Sequence, residues 1–91
     1  MINIIRDDSE VSHVLGMLNE SFREATSNMG KPSRTANDDT PSKQLYIWQV
    51  EYSHRVNDIV KSPRYIVSKL VNNCFSFIEN IKKERNASLL E

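Results

Sequence analysis

The sequence predicts an all-α fold: a three-helix bundle with helices at about 8–29, 41–60 and 63–85, in which helix 3 is the central spine. Three observations predict it. Apolar residues recur at three- and four-residue spacings in three separate runs, which is the period of a helix and not of a strand. Only 2 Gly and 3 Pro occur in 91 residues, and the prolines fall between the runs, so long elements are favoured over a turn-dense β fold. The third run, Ser62 to Arg85, is apolar over half its circumference. At about 100° per residue, Ile66, Phe77, Leu70, Ile81, Cys74, Val67, Ile78, Val71 and Phe75 follow one another around the wheel without a gap. A helix gripped from one side needs a stripe only about 100° wide, so a half-cylinder calls for two neighbours.

In chain order, Met1, Ile2, Ile4 and Ile5 form a short apolar lead that is expected to tuck under the first helix. Asp7, with Glu10 three residues on, has the outline of a capping box and places the start of helix 1. Val11, Val14, Leu15, Leu18, Phe22, Ala25 and Met29 then make a one-sided stripe. Gly30 is placed to close the helix in the left-handed conformation, and Pro32 forbids its resumption. Gly16 inside the helix either permits a close helix contact or is simply tolerated at a cost of about 1 kcal/mol.

Residues 30–40, GKPSRTANDDT, hold no large apolar side chain and read as a mobile polar linker within a single helical domain spanning 1–91. Thr40 followed by Pro41 is an N-cap and N1 pair that opens helix 2. Leu45, Trp48, Tyr52, Val56, Ile59 and Val60 are its main stripe. LYIWQV, 45–50, also has strand propensity, but the helical period continues through Val60 without a turn signal.

Ser62 and Pro63 are read as N-cap and N1 of helix 3, joined to helix 2 either as a tight antiparallel hairpin or as a helix bent at the proline. Lys82, Lys83 and Arg85 suit the negative end of helix 3, and 86–91 are expected to fray.

Composition narrows the function. Twelve basic and twelve acidic residues cancel, so no global field steers the chain to nucleic acid or to an anionic membrane, and neither is expected as a partner. One cysteine excludes an internal disulfide and a multi-Cys metal site. Arg6, Asp7 and Asp8 cut off the lead before it becomes an apolar signal region, and no stretch nears the ~20 apolar residues of a membrane span, so the cytoplasm is the expected compartment.

An active site needs nucleophile, base and orienting group together. Cys74 lies inside the apolar arc of helix 3, where a thiol acts as a small hydrophobe without a basic neighbour. His13 and His54 belong to no ligand motif. Asp7–Asp8 and Asp38–Asp39 serve the positive ends of helices 1 and 2. No enzyme activity, cofactor or metal is expected. A helix-turn-helix using Arg55, Arg64 and Lys69 on phosphate is opposed by two long, half-apolar helices and by zero net charge.

The proline-containing turn DDTPS, 38–42, is similar to the turn between the two long helices of secretion-needle and inner-rod subunits. Pro63 interrupts the long C-terminal helix those subunits require, so the chain is not assigned to them.

The feature left over is a second apolar face on helix 2, where Tyr46, Ile47, Val50 and His54 lie outside the main stripe. They either pack against the lead and the linker or await a partner. The expectation is therefore a protein-binding module of adaptor, chaperone or inhibitor type that regulates another protein through these four residues. The alternatives are a self-assembling homo-oligomer paired through helix 3 and, more weakly, a helical DNA-binding regulator.

Overall fold

The structure, a computed structural model, describes residues 8–90. The apolar lead 1–6 and Asp7 of the expected capping box lie outside the described residues. Three helices are present, α1 (Asp8–Ala25), α2 (Pro41–Lys61) and α3 (Arg64–Leu90), and no strand occurs among the described residues. The fold is the expected three-helix bundle, with α3 packed against both other helices.

Ion pairs and ring contacts give the directions. Arg64 at the start of α3 meets Glu10 at the start of α1 at 3.2 Å, and Arg85 near the end of α3 reaches the end of α1. These two helices therefore run parallel. The Arg55 guanidinium lies 4.9 Å from the centre of the Phe77 ring, and Trp48 lines the same cleft as Glu84 and Arg85. Thus α2 runs back along α3 as a hairpin, and the bent continuous helix is excluded.

The core takes Leu18, Phe22 and Ala25 from α1, Trp48 and Ile59 from α2, and Cys74, Ile78 and Ile81 from α3. Cys74, Ile78 and Ile81 near the centre of the α3 arc are buried completely or nearly so, while Val67 in the first turns and Leu70, Val71, Phe75 and Phe77 towards the edges are partly buried. That gradation is what two flanking helices on one half-cylinder produce. The molecule measures 56 × 26 × 17 Å with a radius of gyration of 15.4 Å, above the ~12 Å of a spherical domain of this length. The bundle is long and thin, so each core residue carries a large share of its stability.

Thr40 opens α2 as read: its hydroxyl oxygen accepts from the Lys43 N–H at 3.3 Å and donates to the Asn37 carbonyl at 2.8 Å. Other ends differ from the sequence reading. Helix α1 stops at Ala25 instead of 29. The Thr26 N–H is shared between the Phe22 and Arg23 carbonyls, its hydroxyl donates to Phe22, and Arg85 Nη1 donates to the Glu24 and Ala25 carbonyls at 3.1 Å each. Those two carbonyls would accept from residues 28 and 29 in a longer helix, so a cation from α3 occupies the acceptors of the missing turn. Gly30 does take the left-handed conformation, at φ 78°, but it closes the turn after the helix.

Replacing Arg85 with Met keeps the stem and removes the donors. It is expected to cost about 1–2 kcal/mol in urea unfolding, with faster amide exchange confined to residues 22–29.

Ser62, read as the N-cap of helix 3, instead ends α2: its N–H donates to the Ile59 carbonyl at 3.4 Å and its hydroxyl to the Asp58 carbonyl, so α3 begins at Arg64, after Pro63. Helix α3 continues to Leu90, beyond the expected end at 85. The 30–40 segment, read as mobile, is tied at Ser33 and Arg34 to the first turn of α2. The Ser33 N–H donates to Ser42 at 2.9 Å, and Lys43 Nζ donates to the Arg34 carbonyl at 2.7 Å.

A Cβ built at Gly16 meets nothing within 4 Å, so this glycine serves no close contact. Gly16→Ala is accordingly expected to stabilise the protein by about 1 kcal/mol. A denaturation midpoint at or below that of the parent would contradict this.

Candidate partner-binding face

Cys74 is fully buried in the core. Burial pushes its thiol up from the ordinary 9.0, and the Arg55 guanidinium pulls the other way with smaller effect. The reading of Cys74 without a basic neighbour is corrected here, because Arg55 crosses from α2 when it settles over Phe77. The net direction still leaves a protonated, inert thiol.

His13 and His54 are both exposed, on different helices. No group of three or more His, Cys, Asp or Glu side chains among the described residues is gathered closely enough to hold a metal ion. Glu10, from the expected capping box, uses its carboxylate on Arg64. Arg55 is bonded to Glu51 at 2.9 Å, so two of the three cations considered for phosphate already face carboxylates.

A shallow, open surface runs along α1 past His13 and Gly16 to Phe75 of α3, and two deeper ones lie at opposite ends of α3. A groove of about 240 Å³ between the starts of α1 and α3 is lined by Val11, Val14, Val67 and Val71, with the Glu10–Arg64 pair at its rim. A cleft of about 380 Å³ lies at the other end, among Met29, Asp38, Pro41, Trp48 and Arg85. Neither contains a histidine or the cysteine. No helix among the described residues is long and apolar enough to cross a membrane.

The four residues singled out on helix 2 fall on one side of it. Trp48 and Ile59 set the inward direction, and Leu45 is buried beside them. Tyr46, Val50 and His54, spaced by four, share the opposite side with Ile47. Ile47 and Val50 are 43% and 39% exposed, His54 is exposed, and Tyr46 is half-buried with the Lys43 ammonium 5.8 Å from its ring centre. The linker is held near Lys43 without covering Ile47 or Val50.

The structure also exposes Met17 on α1, Val60 of the expected α2 stripe, which lies well off the inward direction set by Trp48 and Ile59, and Tyr65, at 80%, in the first turn of α3. Tyr65 falls on the polar half of the helix 3 wheel, and periodicity gave no signal for it. The lysines bracketing the α2 face, Lys43 and Lys61, were likewise not part of the sequence reading; the signal for them was present in their spacing.

The opposite surface of α2 is closed by a specific inter-helix contact. The Tyr52 and Phe22 rings stack with centres 4.3 Å apart and planes 8° from parallel, and the Tyr52 hydroxyl donates to Asn19 Oδ1. This contact joins α1 to α2 across the face of α3 and fixes which side of α2 remains outward.

Comparison of the chain with protein-family models, curated proteins and solved structures finds no match.

Proposed function

We propose that the chain is a non-enzymatic protein-binding module of adaptor, chaperone or inhibitor type, acting in the cytoplasm through the outer face of α2. One observation carries this reading: Ile47 and Val50 stay exposed beside Tyr46 and His54, on a helix whose other side is committed to the core. A tyrosine at the edge of an apolar patch supplies contact area at small entropic cost, as interface anchors do.

The self-assembly alternative drew on an uncovered helix 3. Cys74, Ile78 and Ile81 are buried within the chain, so that helix offers less to a second copy than its sequence promised. The DNA-binding alternative has less support again, with Arg55 and Arg64 in ion pairs.

The test is a pair of variants, Tyr46→Ala and Ile47→Asp, made in the isolated chain. Each is expected to keep the helical circular dichroism and to move stability by about 0.5 kcal/mol or less, as at surface positions. Unfolding of the monomer would show that these residues are core, and the binding reading would be lost. A dimer whose melting point rises with concentration would replace it with self-assembly.

A further inference from the structure

We infer that the outer face of α2 is a seam for one helix of a different protein, apolar in its middle and carrying carboxylates opposite Lys43 and Lys61; this rests on the reading of that face as a partner site. Lys43, Ile47, Val50, His54, Asn57 and Lys61 succeed one another at spacings of four, three, four, three and four along α2. At 100° per residue all six fall within an arc of about 80°. This alternation is that of a heptad seam, with two apolar layers between polar and cationic ones.

The stripe covers nearly the whole helix, about 27 Å. His54, Asn57 and Lys61 are exposed, as are Ile47 and Val50, and Lys43 is half-buried. Every α2 residue is helical, so its backbone is bonded within the helix and offers no edge to an added strand. A convex stripe of this kind is covered by another helix.

Charge selects which helix. Neither Lys43 nor Lys61 is in an ion pair among the described residues. Lys43 spends one proton on the Arg34 carbonyl and keeps its charge. The nearest acids on α2 lie on one flank of the seam: Glu51, held by Arg55 at 2.9 Å, and Asp58. No acid stands on the other flank, where Tyr46, Ser53 and Val60 lie.

A second copy of the chain fits badly. Parallel pairing in register sets Lys43 against Lys43, His54 against His54 and Lys61 against Lys61. Antiparallel pairing with full overlap sets Lys43 against Lys61 at both ends. Sliding antiparallel copies until Ile47 meets Val50 shortens the shared seam from residues 43–61 to 43–54 and sets Lys43 against His54, so Asn57 and Lys61 are left without a facing layer. Like charges in a seam discriminate against self-pairing, and they favour a partner bearing the opposite sign.

Two synthetic amphipathic helices of the length of α2, identical in their Ile and Leu layers, test this. One carries Glu and the other Lys at the layers that meet Lys43 and Lys61. The Glu peptide is expected to shift the amide resonances of residues 43–61 and to bind about tenfold more tightly than the Lys peptide at low salt. The advantage should shrink at about 0.5 M salt, and Ile47→Asp, still folded, should abolish binding.

Equal binding of the two peptides, or binding of neither to the folded chain, overturns the inference. A dimer that Ile47→Asp dissociates also overturns it, by giving the face to a second copy. Unfolding by Ile47→Asp is a different failure: it removes the partner-site reading itself and this inference with it.

Discussion

Ile78→Ala lowers the unfolding free energy by about 3 kcal/mol, within the 2–5 kcal/mol of buried isoleucine truncations. The expectation follows from position. Ile78 is 0% exposed, near the centre of the apolar arc of α3, in the cluster that Leu18 and Phe22 of α1 and Trp48 and Ile59 of α2 also enter. Held from two sides, the site cannot collapse easily around the three missing carbons, so the lost transfer energy and the cavity both count. A 91-residue domain has a total stability of roughly 5–14 kcal/mol, and this one change removes a large part of it.

Urea unfolding followed by Trp48 fluorescence, the only tryptophan signal in the chain, provides the measurement. Ile47→Ala is the control, because that residue is 43% exposed. Equal effects of the two substitutions would mean that α3 is not the buried spine.

The second large effect is alkaline destabilisation. Burial first, and the negative charge of the Cys74 sulfur once ionised second, push the Tyr52 phenol from 10.0 up to about 12. The unfolded phenol releases its proton near pH 10, whereas the folded one holds it for about two more units. Between these values the unfolded state binds fewer protons, so rising pH draws the equilibrium towards it. The contribution is fully present below pH 10 and is lost as pH approaches 12.

Two units correspond to about 2.7 kcal/mol. The hydroxyl is partly solvated, and screening leaves about 1–2 kcal/mol as the expected loss. Cys74, also raised by burial, acts in the same direction from a lower starting pH. Tyr52→Phe should flatten the stability profile above pH 10 while costing about 1 kcal/mol at neutral pH, through the lost bond to Asn19. It should also remove a late-titrating phenol from the ultraviolet absorbance. An unchanged alkaline slope in Tyr52→Phe would place the effect elsewhere.

The candidate face was partly legible for the same reason the helices were. Tyr46, Ile47, Val50 and His54 are separated by three and four residues, so any helix over 41–60 must bring them to one side. Whether that side is open depended on Tyr52 stacking against Phe22, a contact thirty residues apart in sequence that no local period encodes. Gly16 shows the converse. Its two readings were equal in sequence, and the empty space around it decides for the tolerated glycine.

Taken alone, the sequence determined the number of helices, the start of α2 at Thr40 and Pro41, the break at Ser62 and Pro63, and the half-cylinder of α3. Each depends on residues within a few turns of one another, where backbone hydrogen bonding and side-chain period act. Only the tertiary structure decided the hairpin between α2 and α3, the early end of α1 under Arg85, the pairing of Glu10 with Arg64, and the company of Arg55 around Cys74. In each of those cases a long cationic side chain or an aromatic ring reaches across to another helix. The acceptor, carboxylate or ring that meets it is chosen by how the apolar faces dock, so its identity is set by packing and not by spacing along the chain.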